Sequence, residues 1–293
     1  MKITICTFGS RGDTQPYIAL ALGLQQAGHQ VTLVASASHG VAEWIRSYGL
    51  EVVPLRFSMQ DFAQSPGQNN ALKGRNPLRI LREFRSGFEA YLASVLDDCW
   101  NASHDADYLM LSSITTLGLD MARQRNIPVA LLSLTPIFPP TRAFPLTMLP
   151  FRFSLGGLYN RLTYALYWRV GWLFVGGMIN RWRTTRLGVS PWRSAREIVG
   201  ALGDGDAQWL NGFSPHVLPK PPEWGANHHV TGYWFLDAPP DWQPPEDLVR
   251  FLESGPPPVY VGFGSMSDKD PERLTRLVLR ALELSGQRGL LLT

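Results

Sequence analysis

The sequence predicts an α/β protein: a Rossmann-like, doubly wound parallel sheet followed by the first part of a second Rossmann-like domain. Three observations carry this. Lys2-Ile3-Thr4-Ile5-Cys6 is short, apolar and β-branched, the pattern of a buried strand. A glycine turn, Gly9-Ser10-Arg11-Gly12-Asp13, leads into residues 17–27, which are apolar at helical spacing and close on Gly28. Residues 30–35 and 51–55 repeat the strand pattern around a helix at about 41–48, a βαβαβ order with its ligand crevice off the carboxyl ends of the strands.

The turn is not a dinucleotide fingerprint, which needs glycines where Arg11 and Thr14 stand. It is not a Walker A loop, because no Gly-Lys-Ser/Thr follows. Its N–H groups and helix dipole still suit an anionic ligand. Asp13 has two readings. It either caps the helix by accepting an N–H, or it faces the crevice as a carboxylate available for general-base work. His39 follows the second strand, as a loop or cap residue or as an acceptor contact. His29 lies at the opposite edge and is structural.

Residues 58–76 are rich in Ser, Gln, Asn and Gly and read as a long surface loop. Arg75, Arg79, Arg82 and Arg85 then recur at helical spacing, giving one basic face on a helix reaching about Trp100. A strand at 107–112 ends on Ser112-Ser113; a helix at about 116–125 and a strand at 128–134 follow. The loop from 135 to 155 is rich in proline and carries Phe138, Phe144, Phe151 and Phe153. A loop cannot bury its own core, so these rings cover either an apolar acceptor pocket or the next helix.

Residues 162–180 contain a single charge, Arg169. A membrane span of that length is opposed by the central arginine, which costs about 2.5–3.5 kcal/mol at the bilayer centre. Interfacial seating, or burial beneath an acceptor site, fits better. Trp168, Trp172, Trp182 and Trp192 alternate with arginines as at a headgroup boundary. Between Met121 and Arg196 stand eleven arginines and no acid, on a chain whose net charge is only +3. A basic, aromatic middle on an acidic body suggests contact with anionic lipid.

The pair Cys6 and Cys99 makes no disulfide framework, and six histidines show no ligand spacing beyond His228-His229, so no metal site is expected. The N-terminal apolar run is too short for a signal-peptide core, and the chain reads as cytoplasmic or on the cytosolic membrane face. The domains are expected at 1–238 and 258–293, joined by a proline-rich linker at 239–257 that holds a short helix at 246–253. Within the second, residues 259–261 are a strand, 271–285 a helix and 289–293 a further strand.

Gly9-Ser10-Arg11-Gly12-Asp13-Thr14-Gln15-Pro16, with Ala27-Gly28-His29-Gln30-Val31-Thr32-Leu33, resembles the N-terminal domain of sterol and antibiotic glycosyltransferases. The resemblance continues through Ser47–Leu55, Pro139-Pro140-Thr141-Arg142-Ala143-Phe144-Pro145 and Val259-Tyr260-Val261-Gly262-Phe263-Gly264-Ser265-Met266. It is closest to the sterol 3-β-glucosyltransferase-like branch of the family 28 type. It implies the GT-B fold and inverting transfer of a hexose from a UDP-sugar to a lipophilic hydroxyl, with no further cofactor. Asp13 is then the base. Gly264 and Ser265 then face the donor diphosphate; beside them, the first turn's Gly9, Ser10, Arg11 and Gly12 are the donor candidates read from the residues themselves, and His39, Ser112, Phe138 and Phe144 the acceptor candidates.

The chain departs from that pattern at its end. The family's His-Gly-Gly-type donor grip would lie beyond Thr293, and only thirty-six residues of the second domain are present. The expectation is an incomplete transferase of weak or no activity alone. The rival reading is a non-catalytic lipid-binding half-transferase. A dinucleotide oxidoreductase is disfavoured by the missing glycines, and nothing points to nucleic acid.

Overall fold

A computed structural model describes residues 1–37, 40–57, 77–148, 153–203, 205, 207–239, 242–264 and 270–292. The chain divides into two compact units, Met1–Leu236 and Asp237–Thr293.

The first unit carries seven parallel strands: β1 (Lys2–Cys6), β2 (Gln30–Ala35), β3 (Glu51–Pro54), β4 (Tyr108–Ser112), β5 (Val129–Ser133), β6 (Ala207–Asn211) and β7 (His228–Val230). Their spatial order is β3-β2-β1-β4-β5-β6-β7, all in parallel register. The order reverses between β1 and β4, which opens a crevice at their carboxyl ends. The central strands β1, β4 and β5 are mostly apolar because both faces are covered. On one face Ile3, Ile5 and Leu33 pack with Tyr17, Ile18 and Ala21 of α1 (Arg11–Gln26) and Ile45 of α2 (Val41–Ser47). On the other, Cys6, Val34 and Leu111 meet Leu92, Leu96 and Cys99 of α3 (Pro77–Ala102). Successive strand residues feed opposite layers, as the pleat requires.

The expected helix at 116–125 is instead a 3-10 segment, Ser113–Gly118, followed by α4 (Asp120–Arg125). Thr115 explains the difference. Its hydroxyl lies 2.8 Å from the Ser112 carbonyl and 3.1 Å from the Cys6 carbonyl, and it accepts the Ser112 amide at 2.9 Å. Local bonds of this kind compete with a regular helix.

The chain then runs through the proline-rich loop into α5 (Gly157–Trp182), a π turn at Arg183–Leu187, and α6 (Ala195–Gly203). No helix among the described residues is long and apolar enough to cross a membrane. The four tryptophans do not form an outer belt. Trp182 and Trp192 are buried, and Trp168 and Trp172 pack half-buried against the core. Polar anchors draw them inward: Trp182 Nε1 donates to Asp97 at 3.0 Å, and the Arg183 guanidinium lies 3.6 Å above the Trp192 ring. Arg183 Nε also donates to Asp120 at 2.7 Å, a buried ion pair tying the π turn to α4.

The second unit contains α7 (Glu246–Glu253), β8 (Val259–Gly262), α8 (Pro271–Ser285) and β9 (Gly289–Leu292), with β8 and β9 parallel. Asp270 caps α8 by accepting the Arg273 amide at 2.8 Å. The Arg288 side chain binds the Pro256 carbonyl at 2.6 Å and lies over Phe251, holding α7 beside β9.

Candidate functional site

The turn after β1 begins at Thr7, whose amide donates to Val34 at 2.8 Å. Gly9 follows at φ +127°, and Ser10 is the N-cap of α1. Asp13 is therefore not the cap residue. It stands three positions on, in a capping box, where its Oδ2 accepts the Ser10 amide at 2.7 Å and the Ser10 hydroxyl at 3.0 Å. The carboxylate is exposed at the mouth of the crevice, its orientation set by two donors. Gly9 must be glycine: a Cβ there would come 2.6 Å from Asp13 Cγ.

Beneath the mouth lies Tyr17. Burial pushes its phenol well above the usual range, the neighbouring Asp13 charge adds to the rise, and the Ser112 hydroxyl opposes it. The phenol is thus neutral and links α1 to Ser112 at the end of β4. Ser112 itself is buried, and its hydroxyl lies 3.1 Å from the Cys6 carbonyl. The exposed neighbour is Ser113, at φ 49°.

Ser113 opens an apolar cavity of about 340 Å³ at the carboxyl ends of β4 and β5. Ile114, Thr116, Leu132 and Ser133 contribute the sheet side; Ile137 and Phe138 come from the loop. Tyr167, Trp168, Gly171, Trp172 and Val175 come from α5. Phe138 lines the cavity, meets Trp168 of α5 edge-on with centroids 6.1 Å apart, and stacks on Trp209 of β6 at 4.7 Å. Phe144 is half-buried and does not line this cavity. The loop is held by Glu223, which accepts the Thr141 hydroxyl at 2.7 Å and the Arg142 amide at 2.5 Å. Those two bonds hold the Glu223 carboxyl below its usual pKa.

The remaining expected residues separate. The Arg11 guanidinium lies 4.5 Å over the Trp44 ring, and both Ser10 donors are spent on Asp13. Arg11 and Gly12 open the helix, where amides lack intrahelical partners. Gly264 sits at φ +60° just after β8 in the second unit. His39, Ser265, Arg75 and Phe151, and the loop at 58–76, fall outside the described residues. Residues 162–180 had two expected places, at a membrane interface or beneath an acceptor site; which residues of α5 face the cavity was not legible, because its apolar residues run round the helix and no face stands out. No cluster of metal-binding type occurs among the described residues.

The seven-stranded parallel sheet, reversing at β1 and β4, matches the fold of solved GT-B glycosyltransferases. The calicheamicin glycosyltransferase superposes with a TM-score of 0.54 at 16% identity, over 96% of this chain and 61% of its own. An Arabidopsis thaliana glycosyltransferase crystallised with UDP-L-rhamnose gives 0.52 at 15%, over 99% and 63%. Residues 3–106 match the glycosyltransferase family 28 N-terminal domain. Among curated proteins, the chain is 33% identical over 296 residues to the sterol 3-beta-glucosyltransferase of Emericella nidulans, and 34% identical over 297 to that of Cryptococcus neoformans. These alignments take in 99% and 98% of this chain but 20% and 18% of the relatives, so the chain spans about a fifth of their length.

Proposed function

We propose that this chain is the acceptor-binding portion of an inverting glycosyltransferase that moves a hexose from a UDP-sugar to a hydroxyl of a sterol-like lipid. The observation that carries the reading is Asp13: an exposed carboxylate held by two Ser10 donors at the sheet reversal, on the same edge as an apolar cavity. The relatives named as sterol glucosyltransferases support the acceptor class.

In this reading the acceptor's apolar rings fill the cavity between Phe138, Trp168 and Trp172, and its hydroxyl emerges beside Asp13. Because Oδ2 is engaged by Ser10, Oδ1 takes the hydroxyl proton. The acceptor oxygen forms a bond to the anomeric carbon as the bond to the nucleotide diphosphate breaks on the opposite face. One displacement inverts the configuration. The leaving diphosphate is stabilised by main-chain donors of the Arg11-Gly12 turn at the positive end of the α1 dipole.

The test is to incubate the protein, as its own cell makes it, with UDP-glucose and a sterol and to determine the product's anomeric configuration by NMR. A β-glucoside from the α-linked donor is expected. Sterol binding without glucoside would favour the lipid-binding half-transferase, and an α-glucoside would rule out single displacement.

A further inference from the structure

Outside the cavity, α5 shows solvent a second, different surface. Leu158, Leu162, Leu166, Val170 and Leu173 recur at helical spacing and are each 57% exposed or more. They form an aliphatic strip about 22 Å long. A helix with apolar residues round all its sides is normally covered on all sides; this one is covered only where it meets α3, α6 and the buried core. Beside the strip runs an open groove of about 790 Å³ between α5 and α6, with Arg161, Arg169, Arg193 and Arg196 along its walls. Among the described residues none of these four guanidinium groups forms an ion pair. The acid in reach, Glu197, accepts the Arg193 amide at 2.8 Å. Other arginines of the same stretch turn the opposite way and are paired: Arg181 with Glu89, Arg186 with Asp97, Arg183 with Asp120.

We propose that the outer face of α5 docks on an anionic lipid bilayer, with the aliphatic strip entering the acyl boundary and the four groove arginines receiving lipid phosphates. Charge complementarity selects this occupant. A flat apolar strip without hydrogen-bonding groups, flanked by uncompensated cations, matches the headgroup–acyl boundary of an acidic leaflet. Trp168 and Trp172 line both this groove and the inner cavity, so the two rings form the wall between bilayer and cavity. A lipid leaving the bilayer enters the cavity past them. The docking surface itself stands apart from the transferase reading, because vesicle binding is measured with neither donor nor acceptor present.

The experiment is sedimentation of the 293-residue chain with phosphatidylcholine vesicles, with and without phosphatidylglycerol. The chain should partition at least about tenfold more onto the anionic vesicles, and added salt should remove that preference. Arg169→Glu/Arg193→Glu should reduce binding to the neutral-vesicle level; Arg169→Lys/Arg193→Lys should keep it. Leu162→Ser/Leu166→Ser, at exposed positions, should also lose it. Equal binding to both vesicle types, no binding, or full binding by the glutamate variant would overturn the proposal. So would a concentration-dependent dimer abolished by the leucine variant, which would make the strip a contact between two copies.

Discussion

Asp13 and Gly9 are made for each other: the Asp13 side chain folds back over the Gly9 backbone, which at φ +127° carries no Cβ to obstruct it. The carboxylate is thereby brought onto the Ser10 amide and hydroxyl rather than left to rotate in solvent. A chain that only needed a helix cap could place one without the glycine.

Gly9→Ala should therefore act on both stability and activity. The left-handed conformation costs about 1–3 kcal/mol for a residue with a side chain. The new methyl also displaces the Asp13 carboxylate. Thermal unfolding should show the first effect. Transfer assays should show a loss of kcat larger than any change in the acceptor KM.

Gly171 faces the inner cavity, and a Cβ placed there meets nothing within 4 Å. Gly171→Leu should fill the space while removing a helix-interior glycine that costs about 1 kcal/mol. Binding of a fluorescent sterol should fall at least about tenfold, with the melting temperature held or raised. A variant that binds sterol normally would place the acceptor elsewhere.

His228 is buried against Trp209 and Trp224, with ring centroids 5.8 Å away in each case. Burial lowers its pKa to about 4, with Lys220 and His229 adding to the effect. In the folded state it is neutral, whereas unfolded it titrates near 6.5. The unfolded state thus binds more protons between these values, and stability falls as pH drops. The full contribution is present above about pH 6.5; roughly 3 kcal/mol is lost on reaching about pH 4. His228→Phe should flatten that part of a denaturation series.

Asp120 and Arg183 are both buried and joined at 2.7 Å, and Arg183 also stacks on Trp192. Removing either leaves a buried charge without its close partner, Asp120 keeping only a longer contact to Arg123 at 3.5 Å among the described residues. Arg183→Ala or Asp120→Ala should each cost about 3–5 kcal/mol, and the double variant much less than their sum. Urea unfolding of the three variants measures the coupling directly.

Much of the fold could be read in advance because its signals are local. β2 was expected at its observed bounds, as were the helices Glu246–Glu253 and Pro271–Ser285, each opened by proline or an acidic turn. The site was less legible. Ser10 and Asp13 have the spacing of a capping box, a signal present in the sequence, but with the helix expected to start later Asp13 looked like the cap itself. Ser112 and Ser113 are neighbours at a strand end that point opposite ways, and composition cannot say which reaches the cavity. The tryptophans of residues 168–192 alternate with arginines as interfacial anchors do. Only packing shows that the rings turn inward and the leucines outward.

The measurement that bears most directly on the transferase reading is sugar transfer by Asp13→Asn, made in the protein as its cell produces it. Asparagine keeps the acceptor oxygen for Ser10 and the fit over Gly9, so folding and sterol binding should be preserved. Loss of the base should lower kcat by about two to four orders of magnitude. Transfer at the wild-type rate would contradict the account and leave Asp13 as part of a capping box and nothing more.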